Sequence, residues 1–91
     1  MNVEWSPEAR RQISDIWHYI AIDDSQAADR MVARLAAAIE KLSRFPYLGR
    51  PGRENSRELA VSGTPFIVVY RVREAKVRIG TILHGAQRGE E

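Results

Sequence analysis

Apolar and polar residues alternate along this chain with two different periods, and the change between them divides the sequence. Val3 and Trp5 fall on one side of Glu4, the alternation of a short opening strand. Ala9, Ile13, Ile16, Trp17 and Ile20 then recur at helical spacing as a single stripe. Ser6-Pro7-Glu8 marks the start of that helix. Serine caps orphan amides, proline suits the first helical position, and glutamate favours the positive end of the helix dipole. The stripe predicts an end near Ile22. Asp23-Asp24-Ser25 closes the first helix and caps a second, whose inner face carries Ala28, Met31, Leu35, Ile39 and Leu42. Phe45-Pro46 stops it, because the residue before a proline is pushed out of the α region. A link this short predicts an antiparallel helical hairpin.

From Tyr47 to Asn55 the pattern is that of a loop, with Gly49, Pro51 and Gly52 close together. The period then becomes two. Arg57 to Val61 predicts a strand with Leu59 and Val61 inward, and Ser62-Gly63-Thr64-Pro65 a turn. Phe66 to Val72 is almost continuously apolar, as in a central strand covered on both faces. Arg73 to Lys76 turns again, and Val77, Ile79, Thr81 and Leu83 alternate through a last strand ending at His84. Residues 85–91 show no period and are expected to be flexible without a partner. The fold class is therefore α+β, in the order β-α-α-β-β-β. An antiparallel meander is packed by an N-terminal helical hairpin, all within one domain spanning 1–91.

Composition narrows the function. At 91 residues the chain has room for one core, and a domain of that size is stable by a modest margin. It contains no cysteine, which excludes a disulfide framework and a thiolate metal site or nucleophile. Met1 to Trp5 lacks the basic and apolar regions of a signal peptide. No apolar run approaches the roughly 20 residues of a membrane span. A soluble, cytoplasmic protein with no membrane partner is expected. The net charge of +2 conceals an asymmetry: residues 1–40 carry four basic and seven acidic groups, whereas residues 41–91 carry ten and five. An acidic partner would dock on the C-terminal half. A pI near 9.4 suits nucleic acid, but arginine-rich surfaces also recognise acidic protein segments, and charge alone does not choose.

Six segments, in order, carry a resemblance to a known family. They are Ser6 to Ile20, the Leu42–Pro46–Gly49–Arg50 spacing, Arg57 to Val61, Pro65 to Val72, Leu83 to Ala86, and the opening strand itself. Together they resemble the RelE/ParE superfamily of toxins from bacterial type II toxin–antitoxin systems, over nearly the whole chain. The resemblance implies a toxin held silent by a cognate antitoxin whose tail wraps it. Such a tail lays apolar side chains in a groove, pairs acidic groups with arginines, or adds a strand to an open sheet edge. Members divide by target: ParE-type toxins poison DNA gyrase, and RelE-type toxins cut messenger RNA on the ribosome.

Cleaving RNA requires a base for the 2′-hydroxyl, cations at the phosphate and an acid for the leaving oxygen. Carried over by position, the RelE arginine that opens the core strand falls on Ile67. The arginine after the last strand falls on Gln87, and no tyrosine follows Tyr70. In the histidine-ending branch, His84 matches but Gly85 stands where a tyrosine would. The resemblance thus favours the ParE-like branch, a toxin that binds gyrase with no catalytic residue, metal or cofactor. The rival is a ribosome-dependent endoribonuclease with an atypical site of Arg50, Arg57, Arg71 and His84; a third reading is an inactive member that only binds its antitoxin. For antitoxin or target binding the candidates are Arg50, Arg53, Arg57, Arg71, His84 and Gln87, with Trp17 and Leu35 along the groove. Arg71 follows a buried run, so it either forms a buried pair with Glu58 or meets a ligand. His84 is either a general acid–base group or a strand-end residue satisfied by backbone.

Overall fold

The computed structural model describes residues 1–85. Strand β1 spans Asn2–Trp5, helix α1 Pro7–Ala21 and helix α2 Ser25–Lys41. Strands β2 (Arg50–Pro51), β3 (Arg57–Ala60), β4 (Phe66–Arg73) and β5 (Lys76–His84) follow, with a 3₁₀ turn, Arg53–Asn55, between β2 and β3. The predicted helix starts hold because their caps are chemical, while α2 ends at Lys41, ahead of the expected stop at Phe45-Pro46. Ser6 Oγ accepts from the Ala9 amide at 2.9 Å, and the Asp24 carboxylate accepts from the Gln26 and Ala27 amides at 3.0 and 3.1 Å.

The five strands form one sheet in the order β1-β5-β4-β3-β2. β3, β4 and β5 are the expected meander, and β2 adds antiparallel to β3. β1 pairs parallel to β5, with Val3 opposite Val77 and Trp5 opposite Ile79. Beyond Trp5 the chain leaves the sheet, so the second half of β5 would be an open edge. Gln12 of α1 closes it: its amide oxygen accepts from the Ile82 N–H at 2.7 Å, and its nitrogen donates to Thr81 Oγ1 at 2.9 Å.

Leu35 and Ile39 of α2, Ala9 of α1, and Val68, Tyr70, Val77 and Ile79 of the sheet form a single buried cluster. Two expectations change here. The segment 47–55 is not all loop, since Arg50 and Pro51 extend the sheet opposite Glu58 and Arg57. β4 is also covered on one face only. Val68 and Tyr70 are buried, while Ile67, Val69 and Arg71, which alternate with them, stay partly exposed. Its continuous apolar run reflects β-propensity on the outer face as well as burial on the inner. No helix among the described residues is long and apolar enough to cross a membrane.

The β4–β5 hairpin closes through two residues, Glu74 and Ala75, both left-handed at φ 54° and 62°. That is the twist a tight hairpin requires, in residues whose Cβ opposes it. Ala75→Gly should relieve the opposition. We expect a gain of about 1 kcal/mol and a melting temperature higher by about 4–8 °C, measured by calorimetry. A lower melting temperature would contradict the strain assigned to this turn.

Candidate partner-binding surface

The basic segment between α2 and β3 is held from beneath by one buried phenol. Tyr70, 1% exposed, donates to the Pro46 carbonyl at 2.8 Å and accepts from the Gly49 amide at 2.8 Å. Gly49 lies so close that a Cβ there would stand 2.8 Å from the Tyr70 hydroxyl and 2.9 Å from the Glu58 carbonyl, both unable to give way cheaply. The glycine is required for close approach rather than for its dihedral angles. Burial raises the Tyr70 pKa above its ordinary 10.0, opposed by the Gly49 N–H and the nearby Arg57 charge. The hydroxyl therefore stays a neutral donor.

Arg57 closes the segment from above. Its Nη1 donates to the Gly49 carbonyl at 2.8 Å and to that of Tyr47 at 3.4 Å, and its guanidinium lies 4.9 Å from the Tyr47 ring centroid. Arg50, 63% exposed along its side chain, pairs with Glu58 at 3.6 Å. Arg71 does not form the buried pair with Glu58 that its position in the sequence allowed. It is partly exposed and reaches Glu54, donating from Nε to the carbonyl at 3.2 Å and lying 3.7 Å from the carboxylate. The register explains the exchange: Arg50 sits directly opposite Glu58, whereas Arg71 abuts the 3₁₀ turn. Within that turn Glu54 and Asn55 are both left-handed, at φ 53° and 64°, and Arg53 is exposed. Two successive non-glycine residues in this conformation are a local strain of the kind that marks interaction loops.

A second feature lies at the far end of the sheet, under the turn end of the helical hairpin. Ile16, Tyr19 and Ile20 of α1, Met31 of α2, Pro65, Phe66 and His84 line an almost wholly apolar notch, with Asp15 at its rim. His84 stands edge-on to Phe66, ring centroids 5.6 Å apart. Tyr19 in this lining is 78% exposed, and Ile22, the C-cap of α1, is 81% exposed. Trp17 donates from Nε1 to Asp29 at 2.8 Å and ties α1 to α2. Leu35, expected along the groove, is completely buried and belongs to the core, where it has no surface to offer a partner. Gln87 lies outside the described residues. Sequence reasoning passed over Tyr19, Ile22 and Tyr47; the available signal was that the first two fall beside the stripe that α1 buries.

A family model described as the ParE toxin of type II toxin–antitoxin systems, parDE, matches residues 3–89. The chain belongs to this family. It is 40% identical over 86 residues to Y4kP of Sinorhizobium fredii, covering 93% of this chain and 88% of that one. It is 33% identical over 89 residues to the toxin RelE3 of Caulobacter vibrioides, covering 96% and 97%. The fold is that of a solved chain from the chromosomal ParDE system of P. aeruginosa, with a TM-score of 0.84 over 92% of this chain and 95% of that one, at 23% identity. Membership implies a cognate antitoxin partner for this ParE-family toxin.

In the folded family member the four residues of the conceivable ribonuclease set do not converge. His84 pairs with Phe66, and Arg71 stands five residues further along β4, about 17 Å away at strand spacing. Arg57 is occupied with backbone carbonyls. The Tyr70 hydroxyl gives a direct test of how the segment is held. Tyr70→Phe leaves the Pro46 carbonyl and the Gly49 N–H without that partner and should cost about 1–3 kcal/mol in urea denaturation at pH 8. Between pH 10.0 and the raised folded value, the unfolded chain releases a proton that the folded chain keeps. Wild-type stability from this group is therefore complete below about pH 10 and lost above it. The gap between wild type and Tyr70→Phe should hold constant up to that point and then narrow. A gap absent at pH 8 would mean the phenol does not hold the segment.

Proposed function

We propose that this toxin acts by binding rather than by covalent chemistry, that its target is DNA gyrase, and that it works in the cytoplasm. The separation of His84 from Arg50, Arg57 and Arg71 carries this reading. An acid or base at one end of β4 cannot serve a phosphate held at the other, because general acid–base transfer needs hydrogen-bond reach. The antitoxin tail occupies the two features described above. Its apolar side chains enter the notch lined by Tyr19, Phe66 and His84 and reach Ile22 at the end of α1. Its acidic groups meet the exposed Arg50 and Arg53, in the manner of a helix or strand laid into a groove with charged flanks. Trp17 acts indirectly by fixing the angle of the hairpin, and Arg57 by fixing the loop. Arg71 anchors the strained turn that presents Arg53.

Pulse-labelling of DNA and protein synthesis, in the minutes after this chain alone is induced in a bacterial host, tests the target. DNA synthesis should fall first. If translation falls first, the ribosome-dependent endoribonuclease takes its place, and His84→Ala would then be expected to remove a site-specific break in messenger RNA. For the antitoxin surface, Ile22→Asp replaces an exposed side chain and should leave the melting temperature within about 2–4 °C of wild type, as surface changes do. Antitoxin affinity measured by calorimetry should fall at least roughly tenfold, the loss of one apolar anchor. Unchanged affinity would take the exposed end of α1 out of the interface.

A further inference from the structure

The face of the sheet turned away from the helices carries a second basic surface, which adjoins the segment around Arg50 and Arg53 through Arg71. Arg71 and Arg78 stand directly opposite each other on β4 and β5, and Arg73 stands opposite Lys76. Like charges placed across a ladder destabilise it, so this arrangement works against the hairpin that holds it. The strained Glu74–Ala75 turn keeps the two cationic pairs in register. Arg71, Arg73 and Arg78 line a depression of about 500 Å³ together with Glu4, Glu74, Trp5, Gly80 and the start of α1.

The floor of the depression is bare for no packing reason. The register shift between Val69 and Tyr70 leaves Gly80 unopposed, its φ is not left-handed, and a Cβ there would meet only the Val69 carbonyl at an ordinary 3.5 Å. A strand glycine marks a bulge or a place of close approach, and at this bulge it leaves the backbone open to another molecule. The carboxylates nearby are weakly engaged. Glu4 lies 3.2 Å from Lys76 and 3.7 Å from Arg78, Glu74 3.8 Å from Arg78, and Glu54 3.7 Å from Arg71; all four pairs are partly or fully exposed. A polyanion can displace such pairs. Arg73 has no ion-pair partner among the described residues.

We infer that this depression binds the phosphodiester backbone of DNA. The two cationic pairs lie two residues apart along the strands, roughly 6.6 Å, comparable to the separation of successive phosphates on one strand. Arginine forks suit phosphate oxygens, and the bare backbone at Gly80 admits a sugar or phosphate edge to contact distance. The surface reads charge and spacing rather than base sequence. The phosphate site stands on the geometry alone; the choice of DNA over RNA rests on the gyrase reading.

The test uses the full chain and a labelled 16-base-pair DNA duplex of arbitrary sequence, with polarisation read from low to moderate salt. Binding should weaken with salt at a slope of roughly −3 on logarithmic axes, as for about three neutralised phosphates. Arg73→Glu should cut affinity at least tenfold and make the slope shallower by about 1, with the melting temperature and antitoxin binding kept. Gly80→Ala should fold as well as wild type and bind DNA more weakly. In an ¹⁵N-labelled sample, the duplex should move the amides of Gly80 and Arg78 and leave that of Ile22 in place. Unchanged affinity in Arg73→Glu, or shifts confined to residues 50–57, would overturn the site. Equal shifts with inorganic phosphate at matched phosphate concentration would make it a free-phosphate pocket, and tighter binding of the same sequence as RNA would overturn the DNA assignment. Failure of this binding with gyrase inhibition intact sinks this inference alone; DNA binding without gyrase inhibition sinks the target and leaves the site.

Discussion

The Tyr70 hydroxyl is the point on which the partner-facing architecture depends. It sits in the core, yet both of its hydrogen bonds go to the chain that runs from the end of α2 to the edge of the sheet. Those bonds bring Gly49 down to where only a glycine fits, and from there Arg50 and Pro51 enter the ladder as β2. Arg57 then grips the same backbone from the solvent side. An arginine-rich loop would otherwise spread under its own repulsion. Here it becomes a rigid edge with a defined display of Arg50 and Arg53, and the entropy of ordering it is met in the fold rather than at binding.

Much of this was legible along the chain, and the parts that were not share a cause. The stripes on α1 and α2, their caps at Ser6 and Asp24, and the alternation of β5 are local signals, and local signals survive folding. β1's parallel pairing with β5 joins residues more than seventy positions apart, and nothing near Val3 records it. β2 is two residues long and owes its existence to Tyr70 and Glu58, so its sequence could only look like a loop. β4 looked covered on both faces because Ile67 and Val69 are apolar on the open side as well. The partners of Arg71 and Glu58 were exchanged for the same reason: register decides which charges meet, and register is a tertiary property. Leu35 shared its stripe with surface-facing neighbours, and only the packed hairpin shows that it is wholly enclosed.

The toxin thus presents different chemistry at different places on a small frame. An apolar notch with a histidine rim opens between the helix ends, a cationic edge follows Tyr70, and a cluster of arginines lies on the uncovered face of the sheet. Each of these places is of a kind that recognises another macromolecule. A domain of this size could spread its functional groups so widely because its core is compact and one-sided, leaving a whole sheet face and a hairpin end to solvent.

Inhibition of gyrase by direct binding, proposed above for this ParE-family toxin, is open to a test with purified components. Gyrase supercoiling of relaxed plasmid, assayed by gel with ATP and increasing toxin, should be lost in proportion to toxin added and restored by the cognate antitoxin. Full supercoiling at a large molar excess of folded toxin would rule gyrase out as the target.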